Sequence, residues 1–187
     1  MDLSPGSLSR LRDREVQRHL QRKLIELARG RRHHLSGVRV ASGVKITGPG
    51  TYAFEPSSRI RTGCRIWVGP GATLTVGAGS FLGVRNTINV ASGLTIGRGV
   101  EFSWDTQVLD TDFHQIFDAA GVAKVTSAPV IIGHHVLIGT AVLILKGVEI
   151  GDHAVIAAGS VVTRNVEAGS IVAGNPARHI GFASSWR

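Results

Sequence analysis

Six aliphatic residues, Ile132, Ile138, Ile144, Ile150, Ile156 and Val162, follow one another at an unbroken step of six. Val136, Val142, Val148, Ala154, Ser160 and Val166 form a second row at the same step. At about 100° per residue, a step of six turns a helical side chain by about 240°, so members of either row would point in three directions. An even step keeps one face of an extended chain, yet strands rarely exceed about ten residues. The chain must therefore turn at intervals of six and send each short strand inward at an equivalent place. Gly97, Gly133, Gly139 and Gly151 directly follow inward residues, where a small side chain suits a tight corner and unusual backbone angles. The same step appears earlier in Val76, Leu82 and Ile88 and again in Ile96, Phe102 and Val108. Steps of eight, Val68 to Val76 and Ile88 to Ile96, read as two-residue bulges at corners. A fixed short period is the mark of a solenoid, here a parallel β-helix.

The first 36 residues have a different texture. Leu11, Val16, Leu20, Leu24, Ile25, Leu27 and Ala28 recur near helical spacing among arginines, which predicts one amphipathic helix ending near Gly30. It should pack on the main domain and expose its charges. A sharper alternative is a helix that adsorbs to an anionic membrane surface; the pair His33 and His34 adds little to either. The net charge of +8 is concentrated here: residues 1–35 carry nine Lys/Arg against four Asp/Glu. Aromatics make up only 5% of the chain and no basic run is interleaved with them, which argues against nucleic-acid binding. No aliphatic run approaches the roughly 20 residues that cross a bilayer, and the charged start is not a signal peptide. A cytoplasmic location, with possible contact at the membrane periphery, is the expectation. The single cysteine, Cys64, reads as core filler.

The inward row stops at Val108 and resumes at Ile132, so residues 110–129, closed by Pro129, form an excursion long enough to suspect function. At its heart is "DTDFH", residues 110–114. Neutral imidazole suits removal of a hydroxyl proton near neutral pH, which makes His114 a candidate general base. Asp112 or Asp110 could bind its second ring nitrogen, with Asp112 preferred; equally, either could start the turn as an Asx residue. Just upstream, Trp104 and Asp105 have the chemistry of a sugar-binding surface, a ring for C–H groups and a carboxylate for hydroxyls. Packing of the tryptophan against the loop or a neighbouring subunit explains it as well.

The stretch "IIGHHVLIGTAVLILKGVEIGDHAVIAAGSVVTRNVEAGSIVAGNPAR", residues 131–178, resembles the signature of the hexapeptide-repeat acyltransferases. The resemblance covers about residues 38–180. It is nearest to the galactoside and maltose acetyltransferase branch and, through "SW" followed by "DTDFH", to polysaccharide O-acetyltransferases. It implies an all-β fold, a left-handed parallel β-helix of triangular section preceded by an α-helix, assembled as a homotrimer. It also implies acetyl-CoA as acyl donor, lying between subunits with its thioester near His114. Thr140, Ala158 and Thr163 would meet the pantetheine arm, the Thr140 amide would stabilise the oxyanion, and Arg164 and Arg178 would meet the nucleotide phosphates. Asn86 falls near the position of a substrate asparagine. Two departures stand out: Leu137 replaces a tryptophan common before the IG pair, and "TDFHQ" replaces a "GHP" element.

The expected organisation is a helical segment 1–36, a β-helix 37–176 with a catalytic loop 110–129, and a tail 177–187. The expected activity is transfer of an acyl group, acetyl above all, from CoA to a sugar hydroxyl in polysaccharide or glycolipid assembly. The rivals are a non-catalytic trimeric scaffold with a membrane-surface helix, and a serine or amino-sugar acetyltransferase. A zinc enzyme of the gamma carbonic anhydrase type is disfavoured, because adjacent His134 and His135 on a strand point to opposite faces. No metal is expected.

Overall fold

The computed structural model describes the backbone of residues 5–32 and 35–186, and side chains within 16–30 and 35–186. Leu11, as a side chain, and the His33–His34 pair lie outside the described residues. From Arg39 onward the chain winds as a parallel β-solenoid whose strands fall into three sheets of eight, six and five. Each coil contributes one strand to each sheet in turn, and seven parallel strands, from Arg39–Val40 to Ser170–Ala173, climb the first face.

Both rows of the six-residue pattern point into the prism. Ile132, Ile138, Ile144, Ile150, Ile156 and Val162 stand in register with the residues one coil away, as in Ile144 opposite both Val108 and Val162. Cys64 belongs to the same interior; its thiol donates to Gly83 O at 2.9 Å, and burial pushes its pKa up. The steps of eight are not corner bulges. Their extra residues are paired strand: Arg65–Val68 lies against Thr87–Val90 residue for residue, with Val68 and Val90 both buried. The wider early coils thereby gain an inward residue. The glycines after inward positions also have a reason other than unusual angles. A Cβ on Gly139 would stand 2.6 Å from Ala158 N, and one on Gly151 2.5 Å from Ala168 N, both in the next coil. Positive φ falls two residues later, at Ala141 and His153.

Helix α1 (Pro5–Arg32) is longer than the pattern predicted and packs only in part on the solenoid. Leu35 and Val38 already plug the end of the coil, and among the described helix residues Glu26 and Gly30 are buried against it. Val16, Leu20, Leu24 and Ile25 therefore remain exposed, contrary to the expectation that the apolar face would dock. At the other end the expected tail forms structure: Arg178–Phe182 pairs antiparallel with Ser170–Ala173 as an eighth strand of the first face. Trp186 then folds back, stacking on His135 at a ring separation of 4.3 Å.

Candidate active site

Residues 110–129 leave the solenoid between the strands Gln107–Leu109 and Val130–Ile132, at the edge joining the second and third faces. The excursion is a hairpin-like arm. Bridges join Thr111 to Ser127 and Phe117 to Ala123, and Asp118 Oδ1 closes the tip by accepting from Ala120 N and Val122 N, each at 2.9 Å. Asp110 anchors its root. Its fully buried carboxylate accepts from Ala91 N, Ser92 N and Gly93 N at 2.6, 2.7 and 2.8 Å, which ties the arm to the corner of the preceding coil. Lys146, in the following coil, straps the arm from the other side by donating to the Asp112 carboxylate and to Val125 O.

His114 stands exposed on this arm with its Nδ1 3.4 Å from the Asp112 carbonyl oxygen. A carbonyl can only accept, so Nδ1 carries the proton in this contact and Nε2 of the neutral ring keeps its lone pair. The Asp112 carboxylate does not hold the imidazole, because Lys146 takes it; the main chain of the same residue does so instead. Asp110 is spent on backbone amides.

At the edge between the first and second faces, Ser42, Thr62, Val84, Trp104, Thr140 and Ala158 form a vertical column. The amide that follows each member after Ser42 donates down it, as in Ala141 N to Trp104 O at 2.9 Å and Gly159 N to Thr140 O at 2.8 Å. Trp104, Thr140 and Ala158, far apart in sequence, are thus neighbours in successive coils. Among the described residues, Thr140 N–H and Ala158 N–H have no partner within the chain. Trp104 is 57% exposed. Asp105, beside it, is gripped through both oxygens by Arg85, Nε to Oδ1 at 2.7 Å and Nη2 to Oδ2 at 2.6 Å. That hydrogen-bonded guanidinium lowers the Asp105 pKa and raises that of Arg85.

The remaining candidates separate. Arg164 and Arg178 line one cleft of about 400 Å³ at the C-terminal end of the solenoid, with exposed Thr163 next to Arg164. Asn86 does not reach the surface: it is 1% exposed, and its Oδ1 accepts from Thr106 N at 2.9 Å in the interior. The sequence held the signal, since Asn86 precedes Ile88 by two as Val142 precedes Ile144, which sets it on the inward row. Sequence reasoning missed Lys146 and Arg85, whose partners lie one or more coils away and carry no local signature. His114 and Thr140 lie on elements leaving different edges, with the second face between them. Among the described residues no group of three or more potential metal ligands converges. His134 accepts from Arg98 N through Nδ1 at 2.9 Å, and His135 is stacked on Trp186.

Residues 129–164 match the family model described as the hexapeptide repeat of succinyl-transferase. Over that stretch the chain is similar to the hexapeptide-repeat acyltransferases. Its likenesses extend beyond the repeat. Nodulation protein L of Rhizobium meliloti (strain 1021) is 40% identical over 108 residues, 58% of this chain and 59% of that protein, so the chain spans about three fifths of that relative's length. The crystal structure of the polySia specific acetyltransferase NeuO superposes with a TM-score of 0.74 at 26% identity, covering 81% of this chain and 71% of that one. AntD, an N-acyltransferase from Bacillus cereus solved in complex with dTDP and 3-hydroxybutyryl-CoA, shares the fold of this hexapeptide-repeat chain. Its TM-score is 0.65 at 21% identity, over 79% and 81% of the two chains.

Proposed function

We propose that the protein is a CoA-dependent O-acyltransferase that acetylates a sugar hydroxyl, with His114 as general base. The observation that carries this reading is the exposed imidazole on a braced arm, with Nδ1 turned to a carbonyl and Nε2 left as the proton acceptor. The acceptor oxygen attacks the thioester carbonyl carbon as its proton passes to Nε2. The oxyanion that forms takes the Thr140 N–H, which has no partner among the described residues. Collapse breaks the C–S bond, and the leaving thiolate recovers the proton from Nε2. No acyl-enzyme is formed. Trp104 and Asp105 receive the sugar; Ala158 and Thr163 guide the pantetheine arm; Arg164 and Arg178 meet the nucleotide phosphates.

Because the arm and the Thr140 edge are set apart within one chain, the reading requires a second copy to bring them together, in a homotrimer. Exposure of Phe113, Phe117, Val122 and Val125 on the arm supports this, since such a run of apolar side chains calls for a covering surface. The sugar specificity named for NeuO supports a glycan acceptor here. The AntD complex supports a CoA donor but leaves amine acceptors as the alternative to be tested. Among the described residues no helix is long and apolar enough to cross a membrane. The exposed stripe of α1 is where contact with an anionic membrane in the cytoplasm would be made, and co-sedimentation with anionic vesicles tests it.

The deciding experiment follows thiol release from acetyl-CoA with a panel of sugar and amino-sugar acceptors. His114→Ala should lower turnover by about 10²- to 10⁴-fold, the range of general-base catalysis. An unchanged rate ends the assignment.

A further inference from the structure

The edge that carries Trp104 and Thr140 begins with a second feature. Where α1 lies beside the first coils, Arg18, Arg22, Arg29 and Arg61 line a cleft of about 500 Å³. Glu26 is the one carboxylate in that lining among the described residues, and its Oε1 is 3.9 Å from Arg61 Nη1. Four guanidinium groups against one carboxylate leave the cleft with an excess of +3. Like charges held together repel unless an anion joins them, and the planar forks of arginine match phosphate oxygens two at a time. The volume lies in the range of small-molecule sites.

The place of the cleft gives it a role. Its solenoid wall includes Ser42 and Thr62, the first members of the column that continues through Val84, Trp104 and Thr140. Arg85 N donates to Thr62 O and Asp105 N to Val84 O, each at 3.0 Å, so the ladder of amides is continuous from the arginines to the candidate acyl site. Three coil steps of about 4.8 Å put Thr62 roughly 14 Å from Thr140, comparable to the reach of a sugar joined to a diphosphate. Between them stand the Arg85–Asp105 pair, neutral overall, and the exposed face of Trp104. A polyanion held at the arginines would lay its sugar along this edge.

We infer that the arginine cleft binds the phosphate groups of a phosphate-linked sugar acceptor; the substrate class rests on the acyltransferase reading, the anion site does not. Phosphate could also come from the nucleotide of CoA, and the two sources are separated as follows. Inorganic pyrophosphate and acetyl-CoA are each titrated calorimetrically into the full chain, the double variant Arg22→Gln/Arg61→Gln, and Arg65→Gln, a control on the second face. The expected result is pyrophosphate affinity reduced at least about tenfold in the double variant and by less than about twofold in the control, with acetyl-CoA affinity unchanged. Circular dichroism melts confirm folding, and if the double variant does not fold the two single variants carry the test, each with a smaller loss. Equal pyrophosphate affinity in the Arg22 and Arg61 variants and the control overturns the site. So does a parallel loss of acetyl-CoA affinity, which would give the cleft to the donor. Pyrophosphate binding without acyl transfer would end the enzymatic reading and leave the anion site standing.

Discussion

Replacing Asp110 tests the claim that one buried carboxylate holds the arm on the solenoid. Asp110→Asn keeps shape but removes the charge and turns an NH₂ group toward one or two of the three amide donors. The three contacts are 2.6–2.8 Å long in a fully buried setting. Hydrogen bonds to a charged group contribute about 1.5–3 kcal/mol each, and the sum is offset by the several kcal/mol needed to desolvate the carboxylate. The expected net loss is about 3–4 kcal/mol, from one or two buried amides left without an acceptor at about 1–3 kcal/mol each. It should be local, because coils in a solenoid interact with nearest neighbours. Hydrogen exchange followed by mass spectrometry gives the measure: peptides spanning 91–93 and 110–129 should exchange about 10²- to 10³-fold faster, while those spanning 143–162 keep their protection. If protection of 91–93 is unaltered, the three short bonds do not anchor the arm and the reasoning fails.

Two further outcomes concern the strap on the arm and the ion pair at the Trp104 edge. Lys146→Met should free the Asp112 carboxylate and the Val125 carbonyl, lowering turnover about tenfold with little change in the acetyl-CoA KM; equal turnover in the variant would show that the strap does not position His114. Asp105 has its pKa depressed by Arg85, so any stability it contributes is present above the unfolded-state pKa and is lost as pH falls through the lower folded value. Arg85→Gln should raise that pKa in a carboxyl-carbon NMR titration, and an unmoved titration would mean that the pair does not persist in solution.

The histidines show how far a local pattern can be read. His114 stands out because it interrupts a regular repeat within a stretch rich in aspartate, and the structure sets it exposed on an arm. The role of its neighbours was not legible. Asp110 and Asp112 are two residues apart and chemically identical, yet one serves a corner eighteen residues upstream and the other a lysine thirty-four residues downstream. Asn86 illustrates the opposite case: the resemblance implies a substrate contact, yet its side chain is buried on the inward row, two positions before Ile88.

What the sequence determined by itself is the winding. A step of six is incompatible with a helix, and burial of every sixth residue leaves a coil of short strands as the way to continue it; that three strands complete each turn is decided by the three sheets. Side-chain period is a local property, set by backbone geometry and by water, so it is written in the chain. The tertiary structure decided which residues share an edge. Coil stacking brings Trp104, Thr140 and Ala158 into one column and sets Arg61 beside Arg18 and Arg22, contacts made across tens of residues with no periodic trace. It also decided that α1 leaves its apolar stripe outward, because Leu35 and Val38 close the solenoid before the helix can reach the core.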